Sequence, residues 1–227
     1  MTGLQAATVV AAGTLVGLDV ASFPQAMFSR PLVAGLIGGA LVGAPVPGLV
    51  IGAVLELFAM DTLPVGASRV PDWGPGSVAV GALAGEHPQG ILASGLLGLV
   101  VVAVLAAWTG GWFSHLVRRA NAADVMEARA AIDAGDAAVL RRLQRRGLLR
   151  DALRAFALTA LALAVADLVS ALFERRWGGP QSVAQVALVA TSVGVALHAG
   201  WRRAGLGRRV LWFAGGLGTG AVALWLR

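Results

Sequence analysis

The chain has 227 residues, of which 57% are hydrophobic and 13% are charged. Soluble domains carry about 25% charged residues, so this composition excludes an ordinary soluble enzyme and a disordered chain. All 18 basic residues are arginine, and the absence of cysteine excludes disulfides, thiol catalysis and cysteine-based metal sites. We therefore expect an all-α integral membrane protein, a multi-span helical bundle that forms a single membrane domain over residues 1–227.

Stretches without charged residues mark the predicted membrane spans. They cover residues 1–18, 31–55, 88–117, 177–201 and 210–226. A helix that crosses a bilayer needs about 20 apolar residues. Residues 90–112 and 181–200 meet this requirement, and residues 155–172 meet it with one acidic interruption, Asp167. The first run lacks a basic region before it, which predicts a retained first span and not a signal peptide.

The region 31–86 is apolar but is interrupted by prolines and glycines. The interrupting prolines are Pro45, Pro47, Pro64, Pro71 and Pro75, and glycines recur as Gly35-xxx-Gly39, Gly39-xxx-Gly43 and Gly48-xxx-Gly52. Glycine at this spacing lets helix backbones approach closely within a membrane. Two interpretations stay open for this N-terminal half. It forms broken or re-entrant helices around a substrate site, as in transporters, or a tightly packed kinked bundle without a site.

Residues 113–154 differ from their surroundings because they hold nine arginines and five acidic residues. Their pattern predicts two amphipathic helices broken near Gly135. By the positive-inside rule this Arg-rich loop is cytoplasmic, and it separates the N-terminal spans (1–112) from the C-terminal spans (155–227). It is either a solvated loop that sets the topology or a docking surface. Nucleic acid is not an expected partner, because the arginines lie between apolar runs.

Charged and polar groups inside the apolar N-terminal half are candidates for a site, since such groups are costly in a membrane and usually functional. Glu56 follows 25 uncharged residues within an apolar helical pattern. A carboxylate such as Glu56 or Asp72 can accept hydrogen bonds from two hydroxyls of a polyol, and Arg30 can balance one of these charges. The alternative is an internal ion pair that locks the bundle.

No sequence motif indicates a metal, a cofactor or direct use of ATP. His87, His115 and His198 are isolated and lack metal-ligand spacing. The sequence contains no Walker loop, dinucleotide-binding fingerprint, nucleophile elbow or zinc-protease motif. We therefore expect no catalytic residue, no metal and no cofactor in this chain.

Four short motifs together resemble a known family of transport proteins. They are SRPLVAG at 29–35, GxxLEL at 52–57, LPVGA at 63–67 and VPD at 70–72. In this order and spacing they resemble the membrane IIC component of the mannose/fructose/sorbose family of the phosphoenolpyruvate-dependent sugar phosphotransferase system. The resemblance covers residues 1–170, and the remaining tail is similar mainly in its hydropathy.

The resemblance implies a permease subunit in the bacterial cytoplasmic membrane. It implies that a IID membrane subunit shares the sugar pathway, within an oligomer. It also implies that a cytoplasmic IIB protein, charged by IIA, phosphorylates a mannose-, fructose- or sorbose-like sugar while the IIC chain itself stays unphosphorylated. The sugar-site residues that it implies are Gln25, Arg30, Glu56 and Asp72. Supporting residues are Asp19, Ser29, Asp61 and Arg69.

The expected mechanism places the sugar in a midplane pocket built by the broken segments of residues 31–86. Rigid-body movement of that unit would expose the pocket alternately to the two sides. Two other functions stay open. One is a degenerate or regulatory relative that kept the fold and lost transport, and the other is a small-solute-binding membrane module outside phosphotransfer.

Overall fold

The computed structural model describes residues 1–60, 70–86, 95–176 and 181–203. Over these residues the chain is helical, and no strand occurs among them. The helices are α1 (Gly3–Leu18), α2 (Pro31–Leu41), α3 (Pro45–Ala59), α4 (Trp73–Glu86), α5 (Gly95–Glu127), α6 (Arg129–Asp133), α7 (Ala137–Arg176) and α8 (Gln181–Arg203). The predicted all-α fold class is confirmed.

Three of the described helices are long and apolar enough to cross a membrane. They are α5, α7 and residues Ser182–Gly200 of α8. The first predicted span is α1, which has 16 residues and is therefore shorter than the roughly 20 that a bilayer core requires. The last predicted span, 210–226, lies outside the described residues.

Prolines in the N-terminal half stand at the beginnings of helices. Pro31 begins α2, Pro45 begins α3, and Pro75 lies in the first turn of α4. Proline is tolerated there because the first amides of a helix have no partner within the helix and its ring already fixes a helical φ. The prolines thus divide the region into three short helices, and the predicted series of short proline-interrupted helices is confirmed.

Glycines bring α2 into backbone contact with its neighbours. A Cβ atom on Gly35 would lie 2.6 Å from the carbonyl oxygen of Gly48 and 2.8 Å from the Cα of Gly52, so only hydrogen fits. Gly39 packs in the same way against Gly48. Gly43 has a different role from that of the other spaced glycines. Its φ of +83° closes the turn after α2, a conformation that favours glycine.

The helix α4 occupies the centre of the bundle. Every residue from Trp73 to Ala84 is buried. The helices α1, α2, α3, α5 and α7 all pack against it. Residues at its beginning are therefore enclosed by several elements at once.

The Arg-rich segment is the continuation of two membrane helices. The helices α5 and α7 run past their apolar parts as a hairpin, and Gly135, with φ +77°, forms the predicted break between them. Arg150 donates to Asp124 across the hairpin at 2.8 Å. This hydrogen bond holds the pKa of Asp124, which lies beyond the charge-free part of α5, below its usual range.

The helix α7 is continuous from Ala137 to Arg176 and crosses residue 154, where the Arg-rich loop was expected to end. Asp151 and Arg154, which were expected to belong to the Arg-rich loop, are buried in the bundle. The reason is that the helical repeat turns these two side chains inward while their neighbours Leu149 and Leu153 stay exposed.

Candidate functional site

Polar residues from distant parts of the sequence meet at one end of the bundle. They gather where α1 ends, where α4 begins and where the charge-free half of α7 begins. Asp19, Asp72, Asp151 and Arg154 are all buried there, with exposed fractions between 1% and 8%. Buried charges require partners, so each of these four side chains is expected to have one.

Arg154 is the centre of this cluster. One guanidinium nitrogen pairs with Asp72, Nε donates to Asp151 at 2.8 Å, and Nη2 donates to the carbonyl oxygen of Gly17 at 2.9 Å. The Ser22 hydroxyl donates to the second oxygen of Asp151 at 2.5 Å. The planar guanidinium suits such a three-way contact, and it joins α1, α7 and the residues before α4.

Three buried polar atoms at the start of α4 have no hydrogen-bond partner among the described residues. They are Oδ1 of Asp72, Nε1 of Trp73 and Oγ of Ser77. Almost all buried polar atoms in proteins are paired with protein or with ordered water. These acceptor and donor atoms have the chemistry to receive a water molecule or a hydroxyl-bearing ligand.

Asp19 organises the connection between α1 and α2. Its carboxylate accepts from the backbone amide of Ala26 at 2.6 Å, and from the amide and the hydroxyl of Ser29, each at 3.0 Å. Burial raises the pKa of Asp19, but these hydrogen bonds outweigh it and hold the pKa below the ordinary value of 3.8. Asp19 thus fixes the backbone that leads to Arg30.

The lowered pKa of Asp19 predicts how stability depends on pH. A carboxylate with a depressed folded-state pKa stabilises the fold above its unfolded pKa, and this contribution is lost as the pH falls through the folded pKa. We expect Asp19→Asn to lower the free energy of unfolding at pH 7, and its difference from the wild type to shrink below pH 3.8. Denaturant titrations in detergent at pH 7 and pH 3 measure this difference. A difference that is equal at both pH values would contradict the prediction, and the exposed Asp133→Asn serves as the control.

Arg30 and Glu56 form a second, more accessible pair. Nε of Arg30 lies 3.4 Å from Oε1 of Glu56, and the backbone amide of Leu32 donates to Oε2 of Glu56 at 3.3 Å. The Glu56 carboxylate therefore sits at the N-terminus of α2, where the helix dipole favours negative charge. The exposed fraction is 56% for the Arg30 side chain and 23% for that of Glu56, so solutes can reach the pair.

The structure places six of the eight sequence-predicted residues, and it places them in different surroundings. It pairs Arg30 with Glu56 and Asp19 with Ser29, whereas Asp72 pairs with Arg154. Gln25 is exposed in the connection after α1, with φ +59°, and its amide donates to the carbonyl oxygen of Ala21 at 3.3 Å. Asp61 and Arg69 lie outside the described residues.

Asp151 and Arg154 are the residues that sequence reasoning missed. Both were grouped with the Arg-rich loop. Two signals in the sequence point to them: their spacing of three residues on one helix face, and the position of Arg154 directly before a run of 12 uncharged residues, 155–166. No group of three or more metal-ligating side chains occurs in the described part of the chain.

These features define a class of protein, namely a helical membrane protein whose short proline-initiated helices surround a buried polar cluster at one end. The family described as the sorbose-specific IIC component of the PTS, the sugar phosphotransferase system, matches residues 3–197. The chain belongs to this family of sugar-transport subunits. The family resemblance found in the sequence motifs is thereby confirmed.

Two solved structures share the fold. One, described as a membrane protein, is 22% identical with a TM-score of 0.68, and the alignment covers 100% of this chain and 96% of that one. The other is the mannose transporter ManYZ in complex with microcin E492, which is 20% identical with a TM-score of 0.59 and the same coverage. The comparison with curated proteins gave no match.

Proposed function

We propose that the chain is the IIC permease subunit of a mannose-family sugar phosphotransferase system. It forms the sugar pathway with a IID membrane subunit, in an oligomer within the bacterial cytoplasmic membrane. A IIB protein, charged by IIA, phosphorylates the sugar at the cytoplasmic mouth. The chain supplies the binding and movement of the sugar and no catalytic group or cofactor. Family membership over residues 3–197 supports this proposal.

The observation that carries the proposed sugar site is the accessible Arg30–Glu56 pair. A carboxylate has about four lone-pair positions, and Glu56 uses few of them on Arg30 and the Leu32 amide. The remaining positions can accept hydrogen bonds from adjacent sugar hydroxyls, while the exposed guanidinium of Arg30 can donate to ring or hydroxyl oxygens. Since Glu56 is three-quarters buried, these bonds form where water competes little.

The start of α4 offers further contacts to the same substrate class. Oδ1 of Asp72, Nε1 of Trp73 and Oγ of Ser77 combine an acceptor, a donor and a group that does both. Hydroxyl groups of a sugar match this set. Gln25 remains a proposed contact on the strength of the family motif alone. Asp61 and Arg69, which lie outside the described residues, remain proposed supporting residues because they are charged groups within the apolar N-terminal half.

The proposed site lies at one end of the bundle, next to the Arg-rich hairpin. Arg154 joins that site to α7, the helix that continues into the hairpin. A rigid-body shift of α2, α3 and α4 against α7 would open the site to the hairpin side, where IIB is proposed to act. This arrangement couples release of the sugar to its phosphorylation.

Uptake in membrane vesicles tests the proposed function. We expect vesicles that contain the chain, its IID partner and the IIA and IIB proteins to accumulate phosphorylated sugar when phosphoenolpyruvate is supplied. Glu56→Gln keeps the size of the side chain but removes its charge and one acceptor, so we expect uptake to fall by about a hundredfold or more, from two weakened charge-assisted hydrogen bonds.

The matched control is Asp133→Asn, which removes a carboxylate from the exposed hairpin, 67% accessible and paired with Arg129. Its uptake is expected to equal that of the wild type. Wild-type uptake by Glu56→Gln would remove Glu56 from the site. Absence of uptake in the complete wild-type system, with every sugar of the class, would contradict the proposed function itself.

A further inference from the structure

An acidic residue interrupts the apolar half of α7. Asp167 is exposed there, within residues 155–172 that hold no other charge. Among the described residues no ion pair or hydrogen bond is formed by its carboxylate, whereas its backbone carbonyl accepts from the Ser170 hydroxyl at 3.0 Å. Ionisable groups inside a membrane are costly and normally face a partner or a wet cavity. The surroundings of Asp167 therefore call for a partner group outside the described chain.

An apolar groove lies on the same face of α7. It has a volume of about 620 Å³ between α1 and α7, and its walls include Ala7 and Ala11 of α1 and Phe156 and Ala160 of α7. Asp167 follows Ala160 by seven residues, so the two lie on one helix face about 10 Å apart. Small residues at the groove let another helix approach closely.

We propose that this α7 docking face, made of Phe156, Ala160 and Asp167 with Ala7 and Ala11 of α1, binds a transmembrane helix of a second membrane protein. That helix places a bulky apolar side chain in the groove and a cationic or amide side chain opposite Asp167. Both requirements come from the surface itself: shape complementarity for the groove, and charge or hydrogen-bond complementarity for the carboxylate.

A second copy of this chain fits the surface less well. The apolar runs of the described helices contain no arginine, and their histidines, His115 and His198, stand three and four residues from the nearest arginine. Their amide side chains, Gln5 and Gln185, lie close to the beginnings of α1 and α8. Asp167 lies deeper, seven residues from Glu174 and 13 from Arg154. A two-fold contact through this face would also bring two Asp167 carboxylates together, which is unfavourable. A different protein is therefore the expected occupant.

The α7 docking face is proposed as the binding surface for the IID subunit of the proposed function. The experiment rests on that function because it uses IID as the probe. The chain has no cysteine, so single cysteines can be introduced without background. We expect a benzophenone attached at Ala11→Cys or Ala160→Cys to cross-link the full-length chain to a co-expressed IID subunit. The control is Ala40→Cys, on an exposed part of α2 away from the groove.

Substitution of Asp167 tests the polar half of the surface. We expect Asp167→Leu to reduce co-purification of IID by at least about tenfold, because the partner's donor would be buried unpaired, and Asp167→Asn to reduce it less. Asp133→Leu, in the hairpin, should leave co-purification unchanged. Cross-linking between two copies of the chain, cross-linking that is equal at Ala40→Cys, or full co-purification by Asp167→Leu would each overturn the proposal. These experiments measure assembly and not uptake, so a failure here is distinct from a failure of sugar transport.

Discussion

Arg154→Gln is expected to destabilise the folded chain by about 3–5 kcal/mol, the range measured when one partner of a buried charge pair is removed. Arg154 is 8% exposed and contacts two carboxylates and one backbone carbonyl oxygen. Glutamine cannot reach all three acceptors and brings no positive charge. Asp72 and Asp151, 1% and 5% exposed, would then lose the guanidinium, and each would either stay as an uncompensated anion or take up a proton at a cost in free energy.

Denaturant unfolding of the purified chain in detergent measures this effect. Arg146→Gln is the matched control, since Arg146 is 54% exposed and its pairing with Asp124 contributes less than about 1 kcal/mol. The double variant Arg154→Gln/Asp72→Asn should recover part of the loss, because one of the two uncompensated anions is then neutral. Equal unfolding curves for Arg154→Gln and Arg146→Gln would show that the cluster does not stabilise the fold.

Gly38→Leu is expected to separate α2 from α4 and to destabilise the fold by about 3 kcal/mol, at the upper end for overpacked sites. A Cβ atom on Gly38 would collide with the carbonyl oxygen of Val78 and would lie 2.9 Å from the backbone nitrogen of Ala82. These neighbours are backbone atoms of the central helix, so they cannot move aside as a side chain would. Since α2 begins next to Arg30, its displacement should also impair sugar uptake.

The same unfolding measurement, together with vesicle uptake, checks this prediction. Gly194→Leu in α8 is the control, because a Cβ atom there meets no atom of the described residues within 4 Å. We expect the control to match the wild type in both measurements. Wild-type stability of Gly38→Leu would mean that α2 and α4 do not pack as closely as described.

The membrane class and the broken helices were predictable because they depend on local sequence. A span requires only a run of apolar residues, and proline fixes the beginning of a helix wherever it stands in the first turn. The glycine spacing likewise indicated close packing for Gly35, Gly39, Gly48 and Gly52. It did not distinguish Gly43, because a turn glycine and a packing glycine look alike in one sequence.

The candidate site was predictable only in part, because pairing depends on tertiary structure. Glu56 and Arg30 stood out as charges beside long apolar runs, but nothing in the sequence showed which acid Arg30 would meet. The structure pairs it with Glu56, and Asp72 meets Arg154, which is 82 residues away in the chain. Arg154 is one of nine arginines in the segment 113–154, and its charge alone does not distinguish it from the other eight.

The buried cluster and the accessible pair divide the candidate site into two parts. Arg154 pairs with both Asp72 and Asp151 within the bundle, which suits a structural joint between α1, α4 and α7, while Oδ1 of Asp72 has no partner among the described residues. Arg30 and Glu56 remain open to solutes and are thus better suited to direct sugar contact. A substrate site and a locking ion pair are alternatives that the sequence leaves open, and we propose that this chain contains one of each.

Equilibrium binding of a labelled sugar tests the accessible pair most directly. The measurement uses the purified chain with its IID partner and a mannose-, fructose- or sorbose-like sugar, without phosphoenolpyruvate, so that binding is separated from phosphorylation. We predict saturable binding by the wild type and by Asp133→Asn, and loss of binding by Glu56→Gln in a complex that stays intact. Binding by Glu56→Gln with the wild-type dissociation constant would contradict the assignment of the Arg30–Glu56 pair to the sugar.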